Sequence, residues 1–98
     1  MYNIGDLVIV RTDLEAYCDY DGWYFAQGMT KYRGNVYEII AKIKNRYVIN
    51  GYMYALTECY SEGIHNDKFP PGYWVFSDAM LDPAMIVNFN EFEKMLLE

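Results

Sequence analysis

Imidazole is nearly absent from this chain, and that absence excludes most of the common hydrolytic chemistries. His65 is the single histidine, so any Ser-His-Asp or Cys-His arrangement would have to be built on it. Cys59, six residues earlier, sits in an irregular stretch with no fixed geometry. A surface histidine is the expected role, no catalytic residue is assigned, and the chain is read as a non-enzyme. Metal-ligand spacing is missing as well. Cys18, Cys59 and His65 have suitable donor atoms but no Cys-x-x-Cys pairing, so no metal and no cofactor are expected. Without an export signal the two cysteines are expected to be free thiols. No glycine-rich phosphate loop is present. "YCDYDG" places Asp19, Asp21 and Gly22 as a calcium loop would, but Tyr17 and Gly28 stand where that loop needs acids.

Long apolar runs are also lacking. No stretch approaches the roughly 18 residues of a membrane span, and "MYNIGDLVIVR" has no basic segment ahead of an apolar one. A cytoplasmic protein with no membrane partner is the expectation. Positive charge is scarce: eight bases face 14 acids, for a net charge of −6. Residues 50–98 carry the whole excess, with only Lys68 and Lys94 to offset their acids. An acidic chain repels phosphate backbones over most of its surface, which disfavours nonspecific nucleic-acid binding.

Apolar and aromatic residues are plentiful. At 53% hydrophobic the chain can bury a core, and its length suits a single domain spanning 1–98. "DLVIVRTDL" reads as a strand and Asp-rich 13–22 as a solvated loop. "WYF" extends, and "AQGMTKYRG" forms a helical turn ending at Gly34 as C′ residue. "NVYEIIAKI", "YVING" and "YWVF" read as further strands, with Ser77 capping the turn "DAML". Residues 52–72 are less regular, with a helical turn or a β-excursion as alternatives near "YMYALTECY", and end in Pro-Pro-Gly. In the tail, "AMIVNF" can extend, and Asn90 with Glu93 opens a short C-terminal helix that places Phe92, Met95 and Leu96 on one face. Short strands with one-turn helices and Gly/Pro punctuation argue a small, curved β-barrel.

Two stretches echo one another. Trp23, Phe25 and Met29 repeat the spacing of Trp74, Phe76 and Met80. Residues two apart on a strand share a face, and a methionine after the following turn folds back beneath them. Each stretch is therefore expected to be a strand-to-turn corner delivering bulky groups to one core, in preference to an aromatic ligand cage.

These segments carry a resemblance. "IGDLVIVRTDL", "YFAQGMTKYRGNVYEI" and "YWVFSDAMLDP" together resemble the small SH3-like barrel proteins of Gram-positive bacteria and their phages. Met29, Tyr32, Gly34 and Asn35 follow that family's middle pattern, with Asn35 where lysine is usual. Trp74, Phe76, Met80, Leu81 and Pro83 follow its closing pattern, with Phe76 where a second tryptophan is usual. The resemblance covers about two-thirds of the chain and implies a mainly β, SH3-like barrel. Against that pattern 52–72 is a long inserted loop, and 84–98 is an extension bearing the helix. One fold hosts many functions, so the resemblance implies little about activity.

Eleven tyrosines are the informative excess. Tyr17, Tyr20, Tyr52, Tyr54 and Tyr60 are placed in loops, where tyrosine supplies rigid contact area at small entropic cost. Tyr52, Tyr54 and Tyr60 with Glu58, Glu62 and Asp67 are the candidate partner-binding residues. This acidic, aromatic surface suits a basic groove on a host protein. The function expected is that of a non-enzymatic module from a phage or mobile element, blocking a nucleic-acid-handling or defence protein in the anti-CRISPR or anti-defence manner. The alternative is a nucleic-acid-binding barrel using Lys31, Arg33, Lys42, Lys44 and Arg46. A third reading, a metal-assisted hydrolase around His65, is the weakest.

Overall fold

A computed structural model describes residues 2–61 and 71–84. The chain is mainly β, and the described residues form seven strands and two short 3-10 helices. The strands are β1 Leu7–Val10, β2 Cys18–Tyr20, β3 Trp23–Phe25, β4 Val36–Lys44, β5 Tyr52–Tyr60, β6 Tyr73–Ser77 and β7 Leu81–Pro83. Five of them form an antiparallel sheet in the order β6-β5-β4-β1-β7, while β2 and β3 make a separate hairpin.

The sheet curls into a half-barrel because its long strands bend. β4 pairs with β1 through Val36–Glu38 and with β5 from Ile39 onward. Between Ile39 and Ala41 the register with β5 shifts, and such a bulge increases local bend and twist. β5 bends again, since five steps from Ala55 to Tyr60 oppose only two from Val75 to Tyr73. Inside the curl lie Val8, Val10, Phe25, Met29, Ile39, Tyr54, Leu56, Phe76 and Met80, all buried.

Both echo stretches feed this core, as their spacing implies. Phe25, Phe76, Met29 and Met80 are fully buried in it, and Trp23 and Trp74 pack against it half-buried. All four aromatics therefore converge on one core, the phenylalanines fully buried and the tryptophans at its edge. Trp23 donates its indole N–H to the Val75 carbonyl at 3.0 Å, and that polar handle keeps the ring near the surface.

Three segments differ from their expected state. Residues 52–60, expected to lie in an irregular inserted loop, are a central strand of the sheet. Tyr54 and Leu56 face the main core while Met53 and Ala55 join Val75 in a second cluster on the other face, and burial on both faces erases the period-two alternation that marks a strand. "YVING" is a turn, because the buried Asn45 side chain accepts the Tyr47 N–H at 2.9 Å and Asn50 sits at φ 61. The acidic stretch contains β2 and half of a tight hairpin. Asp21 and Gly22 have φ of 54 and 75, the two positive values of a type I′ turn. Gly22 is further required because a Cβ there would lie 2.7 Å from that of Tyr47.

Other readings stand. Gln27–Tyr32 is a 3-10 helix followed by Gly34 at φ 80. Ser77 holds the N-cap position of the Asp78–Met80 helix, but the expected side-chain cap is not formed, because its hydroxyl donates to the Tyr20 carbonyl. The tail strand, the C-terminal helix with Phe92, Met95 and Leu96, and the segment of His65, Glu62 and Asp67 lie outside the described residues. No helix among the described residues is long and apolar enough to cross a membrane.

Tyr54 is the buried polar anchor of the fold. Its hydroxyl donates to Asp78 Oδ1 at 2.7 Å and accepts the Tyr2 N–H at 3.1 Å. Burial first, and then the adjacent carboxylate, push its phenol above the ordinary value of 10.0. The unfolded phenol ionises near 10 and the folded one only at higher pH. Its contribution to stability is thus complete below about pH 10 and is lost as pH rises above it. Tyr54→Phe is expected to cost about 1.5–3 kcal/mol, the range for hydrogen bonds to charged groups. It should also make the fall in Tm between about pH 9 and 11 shallower than in the parent, as thermal melts across that range will report.

Candidate functional site

Two shallow grooves meet at Trp74. The first, about 610 Å³, runs between the β2–β3 hairpin, the 45–51 turn and β6. Trp23, Tyr24, Tyr47, Tyr73 and Trp74 supply its aromatic walls, and Asp19 and Arg46 supply one charge of each sign. The second, also about 610 Å³, is lined by Lys31, Tyr32, Glu58, Tyr60 and Trp74 beside Gly28. Trp74 is common to both, so the two grooves form one aromatic face.

Local structure dictates each wall. Tyr24 alternates outward between Trp23 and Phe25, and it lies beside Tyr17 with ring centroids 6.2 Å apart. Tyr73 and Tyr60 are paired across β6 and β5, with centroids at 5.1 Å. Trp74 rests on Gly28: a Cβ at that position would sit 2.7 Å from Trp74 Cζ2. Glycine is needed there for space.

The candidate partner-binding residues divide. Tyr60 is 57% exposed and Glu58 is exposed, and both line the second groove. Tyr54 is fully buried, so it is a core residue and its assignment as a contact residue is corrected. Tyr52 is half-buried, its N–H bonded to Asp78 Oδ2 at 2.8 Å and its ring 4.3 Å from Lys42 Nζ. It stands eight residues from Tyr60 along β5 and lines neither groove, so Tyr52 and Tyr60 are not brought together.

The basic cluster is dispersed too. Arg33 donates to the Leu14 and Thr30 carbonyls. Lys31 lies over Tyr32 at the second groove, Arg46 over Tyr47 at the first, and Lys42 and Lys44 lie on β4. The acidic stretch is partly spent internally. Asp21 accepts the Ala79 N–H at 3.0 Å, and Asp13 pairs with Arg11 at 2.7 Å. Sequence reasoning gave Trp74 a core role, without its part in the grooves, and missed Tyr24, Tyr47 and Tyr73 as groove walls. Their only advance signal was the tyrosine excess.

Among the described residues, no group of three or more His, Cys, Asp or Glu side chains converges to hold a metal. Cys59 is fully buried, and burial first, then Glu58, pushes its thiol up to about 12. Cys18 is half-buried on β2. Native protein at pH 8 is therefore expected to take up iodoacetamide at Cys18 and not at Cys59, because the thiolate is the reactive species. Both should react in guanidinium, and mass spectrometry of the labelled peptides is the check. Gly28→Ala is expected to displace the Trp74 ring and shift the tryptophan emission, which fluorescence will show. Comparison of the chain with protein-family models, with curated proteins and with solved structures found no match in any of the three.

Proposed function

We propose that this chain is a non-enzymatic protein-binding module of the SH3-like barrel kind, and that the aromatic face around Trp74 receives its partner. The observation that carries the reading is the concentration of half-exposed rings there, with Tyr24, Tyr47 and Tyr60 each about half exposed or more. Tryptophan and tyrosine dominate interface energetics when a partner removes them from water. A strand meander ordered β6-β5-β4-β1-β7, with a 3-10 turn between β6 and β7, supports the barrel assignment.

The partner is a protein with a basic surface, in keeping with the net charge of −6. The family resemblance supports a phage or mobile-element accessory protein. In its sharpest form the module occupies a host nucleic-acid-handling or defence protein and blocks it, acting in the cytoplasm. The site proposed from sequence moves accordingly. Tyr60 and Glu58 remain, Tyr24, Tyr73 and Trp74 join them, and Tyr54 leaves.

Affinity purification from a host supplies the partner, and variants then locate the face. Tyr60→Ala and Tyr73→Ala are expected to weaken binding by about thirtyfold each, as hot-spot tyrosines do, with Tm little changed. Glu58→Lys should slow association, most at low salt. Lys42→Glu with Lys44→Glu should leave partner binding nearly intact. Loss of binding to a single-stranded oligonucleotide in that last pair, with no effect of the tyrosine variants on any ligand, would replace this reading with the nucleic-acid one.

A further inference from the structure

The turn between β4 and β5 borders the first groove through Arg46 and Tyr47, and beyond that groove it carries Ile49, Lys42 and Lys44, which line neither groove of the aromatic face. Ile49 is 93% exposed at its tip, and Tyr47 beside it is 58% exposed. A large aliphatic side chain so fully in water is not explained by packing. The tip is also held in place. Asn45 N–H bonds Gly51 O at 2.9 Å and Gly51 N–H bonds Val48 O at 3.1 Å. The Asn45 side chain ties the turn to the hairpin by donating to Asp21 O at 3.0 Å.

Charge is ordered along the same protrusion. In a chain of net charge −6, residues 39–57 contain Lys42, Lys44 and Arg46 and no acid. Lys44 and Arg46 are exposed, and Lys42 lies over the Tyr52 ring. The acids nearest this end are largely committed. Asp78 accepts from Tyr52 and Tyr54, and Asp21 accepts from Ala79, while Asp19 lines the first groove together with Arg46. Along the chain as it leaves β4 the order is cations, then tyrosine, then isoleucine. That is the order of a lipid interface from headgroups to acyl chains.

We propose that the 44–51 turn docks on anionic lipid surfaces, with Ile49 entering the acyl boundary, Tyr47 at headgroup level, and Lys42, Lys44 and Arg46 against anionic headgroups. The lack of a spanning segment bears on crossing a bilayer and leaves surface binding open. An aliphatic tip gains nothing from stacking on bases, which separates this surface from a single-strand binder. Each cation held near an anionic leaflet raises partitioning about fivefold, and three raise it about a hundredfold. Binding is therefore reversible and dependent on lipid charge.

The test is co-sedimentation of the full chain with vesicles of phosphatidylcholine alone or with about 30% phosphatidylglycerol, a content that gives a strongly negative surface. Partitioning is expected only to the anionic vesicles and should fall with added salt. Ile49→Ser should lower it about tenfold at every salt concentration, while Lys44→Gln with Arg46→Gln should lower it about twentyfold and flatten the salt dependence. All three sites are exposed, so melting temperatures should match the parent. Equal partitioning to the two vesicle types, none to either, or no effect of Ile49→Ser would overturn the proposal. So would preferential binding of a single-stranded oligonucleotide that Ile49→Ser leaves unchanged, which would assign the cations to nucleic acid.

Discussion

The fold turns on one carboxylate. Asp78 receives the Tyr54 hydroxyl on one oxygen and the Tyr52 N–H on the other, while Tyr54 in turn receives the Tyr2 N–H. Three distant segments thus meet: the chain's start, the first turn of pairing in β5, and the corner between β6 and β7. Tyr54 is completely buried, and a hydroxyl taken from water without a partner costs free energy that only a well-placed acceptor offsets. The core can close around this ring because Asp78 stands where the hydroxyl ends.

The same corner docks the hairpin. With Asp78 facing β5, other groups serve the β2–β3 turn. Ser77 donates its hydroxyl to Tyr20 O, and Ala79 gives its N–H to the Asp21 carboxylate. The Trp23 indole reaches Val75 O. These bonds cross from the hairpin to β6 and the following helix, and they hold the hairpin against the five-stranded sheet. The first groove is the seam between those pieces. Its rings are half-exposed because Trp23 spends its polar edge on β6 and Trp74 leans on Gly28, so neither can sink fully inward. Architecture and candidate site are therefore one construction.

How much of this was legible depends on local chemistry. β1, β4 and β6, and the 3-10 turn closing at Gly34, were readable from β-branched runs and a C′ glycine. β5 was hidden because Met53 and Ala55 are buried on one face and Tyr54 and Leu56 on the other, which removes alternation. Tyr47–Gly51 has the composition of a strand, but Asn45 captures the Tyr47 N–H and turns the chain. The Asp-rich stretch looked solvated, yet Asp21 is a turn residue and a helix-end acceptor. For the site, the aromatic excess was visible and its placement was not. Which tyrosines face outward depends on a hairpin docking that joins residues more than fifty positions apart.

Backbone strain marks the second groove of the candidate site. Of the four described non-glycine residues at positive φ, Asp21 and Asn50 are types that tolerate the left-handed region in turns. Glu58, at φ 68, is not such a type and lies within a strand. Its neighbours impose the conformation. Thr57 is tied to β4 through its hydroxyl, which donates to Glu38 O at 3.0 Å, and Cys59 is buried in the core. Glu58 absorbs the mismatch between them, where β5 outruns its pairing with β6. A conformation this costly persists only when its surroundings over-determine it. Here they fix the backbone that carries the Glu58 carboxylate to the second groove, beside Lys31 and Tyr60. The bend that curls the sheet and the residue that gives the groove its negative charge are the same feature.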